Sequence, residues 1–170
     1  MYEQYTESAR RAIFFAIWYS RLRKSRDIDS VDLLRGLMHD GDSRVNTVFG
    51  LREYFPLHCG CPSKSAKAEE VPKPEPVLTN EVKRILARSL WEADAVGDYW
   101  IDTEHLLLGI LREQGCMAEQ FISRTGLTLK IARRMLLEKR ELRPVYGPVP
   151  GLWRIQTPWS YVVTKWRMRR

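Results

Sequence analysis

The chemically richest stretch of the chain is Asp102–His105, where two carboxylates, a hydroxyl and an imidazole follow one another. An imidazole beside a carboxylate could act as a general base, and Cys116 could supply a nucleophile. The sequence offers neither a glycine-flanked nucleophile turn nor a second carboxylate that would converge on such a site. We therefore predict no catalytic residues, and we expect His105 to pack against or cap the first turn of a helix.

Two other groups of residues could bind a metal or a nucleotide. His58, Cys59 and Cys61 carry metal-binding atoms, but a structural zinc site needs about four ligands at a regular spacing. The segment Gly36–Gly41 has the spacing of the glycines in a phosphate-binding loop, but no lysine follows it. We therefore predict no metal site and no cofactor, and we do not expect this chain to hydrolyse nucleotides.

A repeated segment places Asp102–His105 in a larger frame. The segment Ile101–Gly109 has a fainter copy earlier in the chain, at Ile28–Gly36. The offset that leads from Ile28 to Ile101, here called the repeat offset, aligns eight identical residues without a gap, and those of the first copy are Thr6, Arg11, Trp18, Ile28, Asp29, Leu33, Leu34 and Gly36. A single fixed offset of this kind predicts two tandem copies of one structural unit.

The units are predicted to be helical, because apolar residues recur at three- and four-residue steps in both copies. Hydroxyl and carboxylate residues stand where helices would begin, and glycines stand where they would end. The predicted helices run from Thr6 to about Arg23, from Asp29 or Ser30 to near Asp40, from Ser43 to Phe49, from Thr79 to near Gly97, from Asp102 or Thr103 through Leu111, from about Met117 to Arg124 and from Leu129 to Lys139. The predicted fold class is all-α.

Proline content and charge divide the chain into a body and an extension. We assign 1–142 to a double-repeat domain, with repeat one at 1–55, a proline-rich extended linker at 56–76 and repeat two at 77–142. The remaining 143–170 form a basic, aromatic extension that holds six basic residues and no acidic ones. The net charge of the chain is +7. The body is therefore nearly neutral, and the high isoelectric point says little about its partner.

The extension has three open interpretations. Its candidate contact residues are Trp153, Trp159, Trp166 and Arg167. The tryptophans could pack against the body while the charges stay in water, they could stack on the bases of a nucleic acid, or they could insert into the groove of a partner protein. We favour packing.

The cellular compartment of the protein is predicted from the absence of targeting and membrane signals in its sequence. No apolar run approaches the roughly 18 residues of a membrane span, and the first residues do not have the pattern of a signal peptide. The three cysteines form no disulfide framework, which fits a reducing compartment. We expect a cytoplasmic protein that is not bound to a membrane.

The second copy resembles a known family. Thr79 and Arg84 in a first helix, followed by Thr-Glu-His-Leu-Leu-Leu-Gly at Thr103–Gly109, are similar to the Clp N-terminal domain, which consists of a double Clp-N repeat. The resemblance covers roughly 1–142. It implies about eight helices in two repeats related by a pseudo-twofold axis, without catalytic activity. With no ATPase modules in its sequence, the chain resembles the freestanding Clp-N proteins of this family.

The resemblance also implies a binding role and a site. Domains of this family dock adaptors and substrates for Clp unfoldases, so we expect a Clp ATPase subunit, an adaptor or a protein substrate as partner. Nucleic-acid binding through the extension is the alternative, and the oligomeric state is left open. In Clp unfoldases of Gram-positive bacteria, the glutamate of each Thr-Glu-His motif helps to hold a phosphorylated arginine.

The candidate site residues match that role in one copy only. Thr103 and Glu104 match the motif, whereas the first copy has Ser30 and Val31 at those positions. Asp102 stands where the family usually has glycine, and its negative charge would weaken phosphate binding at this position. The alternative interpretation of Asp102 is that it caps the helix. We expect one ligand, bound near Thr103 and Glu104.

Overall fold

The computed structural model describes residues 4–39, 44–51 and 76–139, and within them the chain forms seven helices and two very short strands. The helices are α1 (Glu7–Leu22), α2 (Ser30–His39), α3 (Arg44–Phe49), α4 (Asn80–Val96), α5 (Thr103–Arg112), α6 (Met117–Ser123) and α7 (Leu129–Glu138). The strands are β1 (Asp27–Ile28) and β2 (Val77–Leu78). The all-α fold class is confirmed, and the helices begin and end close to their expected bounds.

Threonines begin the first helix of each repeat. The hydroxyl of Thr6 accepts a hydrogen bond from the backbone N–H of Ala9 at 3.2 Å, and the hydroxyl of Thr79 accepts one from Val82 at 3.3 Å. A side-chain oxygen in this position satisfies an amide that has no partner inside the helix. The repeat offset is therefore visible in the helix caps as well as in the sequence.

The two repeats exchange short extended segments. β1 pairs with β2 in parallel, with Ile28 opposite Leu78, and an isolated parallel bridge joins Tyr5 to Ile101. The repeat offset relates Tyr5 to Leu78 and Ile28 to Ile101, so the two bridges are copies of each other. The segment before the first helix of each repeat thus pairs with the segment before the second helix of the other repeat. This crossed pairing is the pseudo-twofold relation that the resemblance implied.

Glycine lets the first two helices of each repeat approach closely. A Cβ atom on Gly36 would lie 2.1 Å from the carbonyl oxygen of Ala12, and one on Gly109 would lie 2.6 Å from that of Ile85. Ala12 and Ile85 are also related by the repeat offset. Any side chain at either glycine would collide with the backbone of α1 or α4, which explains why both copies have glycine there.

The helix that carries the Thr-Glu-His motif is the central element of the described chain. α5 contacts each of the other six helices. All of its residues from Thr103 to Leu111 are buried. Its leucines and isoleucine fill the hydrophobic core, and its polar first turn is buried as well. Candidate site residues at the start of α5 therefore lie between the two repeats rather than on an outer surface.

Candidate functional site

The N-terminus of α5 is closed by a reciprocal cap. Asp102 is the N-cap residue, and its side chain accepts hydrogen bonds from the backbone N–H groups of Thr103, at 2.7 Å, and His105. In return, the backbone N–H of Asp102 donates to Nδ1 of His105 at 3.0 Å. Thr6 of repeat one donates its hydroxyl proton to Oδ1 of Asp102 at 2.9 Å. Asp102 therefore caps the helix and joins it to α1 of the other repeat.

This cap fixes the protonation of His105. Because Nδ1 accepts a hydrogen bond, the ring proton of the neutral imidazole lies on Nε2, which is 3.2 Å from Oδ2 of Asp98. Burial lowers the pKa of His105 to about 4. The imidazole is thus neutral at pH 7 and acts as part of a helix cap.

Glu104 is buried against an arginine of the other repeat. Its side chain is 1% exposed, and Oε1 lies 3.4 Å from Nε of Arg44 in the first turn of α3. Burial, followed by the nearby charge of Asp102, raises the pKa of Glu104 to about 7, and Arg44 acts in the opposite direction. Glu104 is therefore a weaker acid than a carboxyl group in water.

The hydroxyl groups of the two copies are used differently. Ser30 is buried at the start of α2, and its Oγ accepts a hydrogen bond from the backbone N–H of Ala118 in α6 at 3.4 Å. Thr103 occupies the equivalent position in α5, and its buried Oγ1 has no hydrogen-bond partner among the described residues. Two junctions between the repeats thus lie at the start of α2 and at the start of α5. The junction at α5 has a buried hydroxyl without a described partner beside a carboxylate, and the junction at α2 does not.

The first copy forms a charged cap of a different kind. The backbone N–H of Asp29 donates to Oδ2 of Asp32, and the backbone N–H of Asp32 donates to Oδ1 of Asp29. The second copy has the same reciprocal arrangement with the imidazole of His105 in place of the second carboxylate. Arg23 binds both carboxylates, with Nη2 at 2.9 Å from Oδ2 of Asp29 and Nε at 3.0 Å from Oδ1 of Asp32. Val31 stands where the second copy has Glu104. The junction at Ser30 therefore has no carboxylate equivalent to that of Glu104.

Cys116 also serves as a helix cap. Its Sγ accepts a hydrogen bond from the backbone N–H of Glu119 at 3.3 Å at the start of α6. Burial raises the pKa of the thiol, so it is protonated at neutral pH.

Sequence reasoning selected Asp102, Thr103, Glu104 and Ser30, and the structure places all four at the two junctions between repeats. It did not find Arg44. The repeat offset leads from Arg44 to Met117 and from Val31 to Glu104, but most positions differ between the copies, so this difference does not single out Arg44.

Some sequence-based expectations fall outside the described residues. These are the proposed contacts of Trp153, Trp159, Trp166 and Arg167 and the thiols of the linker. Within residues 4–39, 44–51 and 76–139 no three histidine, cysteine or acidic side chains form a group that could hold a metal ion. No helix in those ranges is long and apolar enough to cross a membrane.

The described chain is similar to solved Clp domains. It resembles the N-terminal domain of the caseinolytic protease associated chaperone ClpD from Arabidopsis thaliana, with a TM-score of 0.59 and 17% identity over 83% of this chain and 97% of that one. A protein from a structural study of a malarial protein secretion system has the same TM-score, 18% identity and coverage of 81% and 95%. At these identities the likeness concerns the fold alone.

Relatives by sequence come from the Clp system. A homologue of the ATP-dependent Clp protease ATP-binding subunit ClpA from Guillardia theta is 28% identical over 89% of this chain and 19% of its own length. The chaperone protein ClpC1 of Arabidopsis thaliana is 29% identical over 74% of the chain and 14% of its own length. The chain spans about a fifth or less of these relatives.

The sequence family agrees with the fold. Residues 61–143, just under half of the chain, match the family described as the Clp repeat (R) N-terminal domain. The resemblance seen in Thr103–Gly109 is therefore confirmed: residues 61–143 match the Clp repeat N-terminal domain family, and the described chain has the fold of Clp N-terminal domains.

Proposed function

We propose that the chain is a non-enzymatic protein-binding module that works with a Clp unfoldase and its protease, and that it binds an adaptor, a substrate or a regulator. The observation that carries this proposal is the agreement of the sequence match with the fold, because residues 61–143 match the Clp N-terminal family and the described chain has the fold of Clp N-terminal domains. The sequence relatives described above are Clp ATP-binding subunits and chaperones.

The chemistry of the polar side chains supports binding rather than catalysis. The most reactive groups of the described chain are used as helix caps, with the imidazole of His105 neutral and the thiol of Cys116 protonated. A general base or nucleophile needs a free lone pair directed at a substrate. The buried carboxylate of Glu104 has a different use, since it holds a guanidinium group.

A reconstituted degradation assay tests this proposal. A Clp unfoldase and its protease from the source cell would degrade a fluorescent substrate while the purified chain is added. We expect a saturable change in the degradation rate, and Gly109→Val, whose side chain would collide with α4, serves as a control without the native fold. An unchanged rate at a large excess of folded chain would count against the proposal.

The alternative function, nucleic-acid binding, rests on the six uncompensated basic residues of 143–170. Electrostatic binding of this kind weakens steeply as salt rises. Binding of a single-stranded oligonucleotide that falls with salt and is lost when 143–170 are removed would favour this alternative over the Clp proposal.

A further inference from the structure

We propose that an outer face of repeat two docks an acidic segment of a partner protein. This face, here called the arginine face, is formed by four arginines of α4, α5 and α7, which are Arg84, Arg88, Arg112 and Arg133. The inference rests on the proposed function, because it assigns the surface and the chemistry by which the module would recognise a partner.

Two of these arginines are held by one buried carboxylate. Glu92 of α4 has a side chain that is 2% exposed. Arg133 donates to its two oxygens through Nε at 2.9 Å and Nη2 at 2.6 Å, and Arg112 donates to Oε1 through Nη1 at 2.9 Å. Two positive charges are therefore fixed beside one negative charge.

The other two arginines share a second carboxylate. Glu113 follows α5, and its side chain is 9% exposed. Arg84 contacts Oε1 of Glu113 through Nε at 2.9 Å and Nη2 at 2.8 Å, and Nη1 of Arg88 forms an ion pair with Oε2. Nη1 of Arg88 also donates to the backbone carbonyl oxygen of Arg112 at 2.7 Å. The four arginines thus form one connected network.

The network separates its charges by exposure. The side chains of the arginine face are 56%, 28%, 38% and 44% exposed for Arg84, Arg88, Arg112 and Arg133, whereas both carboxylates are buried. Four positive and two negative charges leave the network with an excess of two positive charges. Because the groups in contact with water are the positive ones, the face attracts negatively charged ligands.

The arginines keep hydrogen-bond donors for a ligand. A guanidinium carries five N–H groups. Arg84 and Arg133 each contact their carboxylate through Nε and Nη2, so their Nη1 groups have no partner among the residues that the structure describes. The carboxylates also fix the orientation of both side chains, so less side-chain freedom is lost when a partner binds.

Trp91 adds apolar area to the arginine face. It is 57% exposed, and Cζ of Arg112 lies 5.3 Å from the centroid of its ring. A guanidinium over an indole ring is an attractive arrangement. Tryptophan and arginine are also among the residue types that contribute most to binding at protein interfaces. The arginine face therefore has an aromatic anchor next to its charges.

Repeat one shows that the helix crossing does not need these charges. The repeat offset leads from Tyr19 to Glu92 and from His39 to Arg112, and the hydroxyl of Tyr19 lies 3.0 Å from Nδ1 of His39. An aromatic pair thus bridges α1 and α2 where an ion pair bridges α4 and α5. The excess charge of repeat two is therefore not required to close the crossing, which favours a role in binding.

The size of the excess favours an acidic protein segment over a nucleic acid. Nucleic-acid binding gains affinity from each phosphate that a basic surface neutralises, so it favours extended basic surfaces. The arginine face instead carries a small excess on a nearly neutral body. Two carboxylates of a partner segment would balance that excess.

Peptide binding to the full chain tests the inference. The probe is acetyl-Gly-Glu-Phe-Glu-Gly-amide, in which two carboxylates flank an aromatic ring. In the control peptide, glutamine replaces both glutamates. Binding is followed by NMR spectroscopy as each peptide is added, and we expect the acidic peptide to bind at least about tenfold more tightly than the control peptide.

A double variant locates the binding site. Arg84→Gln combined with Arg133→Gln removes one arginine from each carboxylate and leaves Arg88 and Arg112 as partners, so neither carboxylate becomes unpaired. We expect this variant to bind the acidic peptide at least about tenfold more weakly than the unaltered chain does.

A matched control removes the same charge elsewhere. Arg21 is exposed on α1, and Arg134 is exposed on α7 and pairs with Glu138 outside the network. Arg21→Gln combined with Arg134→Gln should therefore keep an affinity within about twofold of the unaltered chain.

A further measurement does not depend on the folding of any variant. The indole N–H resonance of Trp91 should shift in the unaltered chain as the acidic peptide is added and should stay in place with the control peptide. A Trp91 resonance that stays in place when the acidic peptide is bound would overturn the assignment of the surface.

Three other outcomes would also overturn the inference. They are equal binding of the two peptides, no binding of the acidic peptide, and equal affinity of the double variant and the unaltered chain. A single-stranded oligothymidine that displaces the acidic peptide and binds more tightly would assign the arginine face to nucleic acid instead. Peptide binding without an effect on Clp-dependent degradation contradicts the proposed function alone. An effect on degradation that the double variant retains contradicts this inference alone.

Discussion

Lys24 and Gly97 occupy equivalent positions after the first helix of each repeat, and both have left-handed backbone conformations, with φ of 56° and 73°. The hydrogen bonds that end the two helices are also equivalent. Lys24 and Ser25 donate to the carbonyl oxygens of Arg21 and Ser20 at 2.9 Å, and the residues at 97 and 98 make the same bonds in repeat two. The repeats thus share one helix-ending geometry but satisfy it with different residues.

We predict that Lys24→Gly stabilises the protein. Glycine adopts the left-handed conformation without the steric cost that lysine incurs, so the free energy of unfolding should rise by about 1 kcal/mol. The reverse change, Gly97→Lys, should lower it by a similar amount. Urea unfolding followed by circular dichroism measures both, and a loss of stability in Lys24→Gly would contradict the assigned conformation.

A methyl group at the closest helix crossing should be strongly destabilising. In Gly36→Ala the new Cβ would lie 2.1 Å from the carbonyl oxygen of Ala12, so α1 and α2 must move apart, at a cost of about 3 kcal/mol or more. Gly126→Ala is the matched control, because its Cβ meets nothing within 4 Å and only the positive φ of 81° opposes it. Thermal unfolding that gave the same loss for both changes would refute the close approach.

Glu104 should make the protein less stable as pH rises. Burial raises the pKa of this carboxyl from 4.5 to about 7, so the folded state binds the proton more tightly than the unfolded state does. The resulting stabilisation is present below pH 4.5 and is lost as pH rises through 7. Relative to the unaltered chain, Glu104→Gln should therefore gain up to about 3 kcal/mol across this interval. Urea titrations at several pH values measure the difference in the free energy of unfolding between Glu104→Gln and the unaltered chain. A difference that did not vary with pH would contradict the raised pKa of this carboxyl.

His105 should have the opposite effect. Burial lowers its pKa from 6.5 to about 4, so the folded state favours the neutral ring. The associated stabilisation is present above pH 6.5 and is lost as pH falls through 4. Asparagine can still accept the hydrogen bond from the Asp102 backbone, so His105→Asn should keep the cap and remove most of this acid sensitivity. The same urea titrations measure the change, and an acid sensitivity equal to that of the unaltered chain would contradict a buried neutral ring.

The two groups should compensate in the unaltered chain. Between about pH 4.5 and 6.5 the unfolded state holds its proton on His105, and the folded state holds one on Glu104. Each state then binds one proton at this pair of sites. The pair should therefore contribute a nearly constant stability in this range, and the two single variants should show slopes of opposite sign.

Much of the fold could be predicted from sequence because its signals are local. Helix periodicity and capping residues such as Thr6, Thr79 and Thr128 depend on neighbours only a few positions away, and the observed helices follow them. The repeat offset also predicted that two distant parts of the chain form copies of one structural unit. The exchanged segments at Tyr5 and β1 could not be predicted, because such short pairings leave no periodic pattern.

The candidate site could be predicted only in part, for a related reason. The motif at Thr103–Gly109 identified the residues, and the expectation that Asp102 could cap the helix agrees with its hydrogen bonds. The burial of Glu104 depends on α5 contacting every other described helix, and its ion pair depends on Arg44, which lies far away in sequence in the other repeat. No local pattern encodes either fact.

The most direct test of the central claim is capture of the tagged chain from its source cell after brief cross-linking, followed by mass spectrometry. We predict that a Clp ATPase subunit, its adaptor or its protease is enriched with the folded chain and not with Gly109→Val. Recovery of no Clp component by the folded chain, or equal recovery with the Gly109→Val control, would contradict the proposed association with a Clp system.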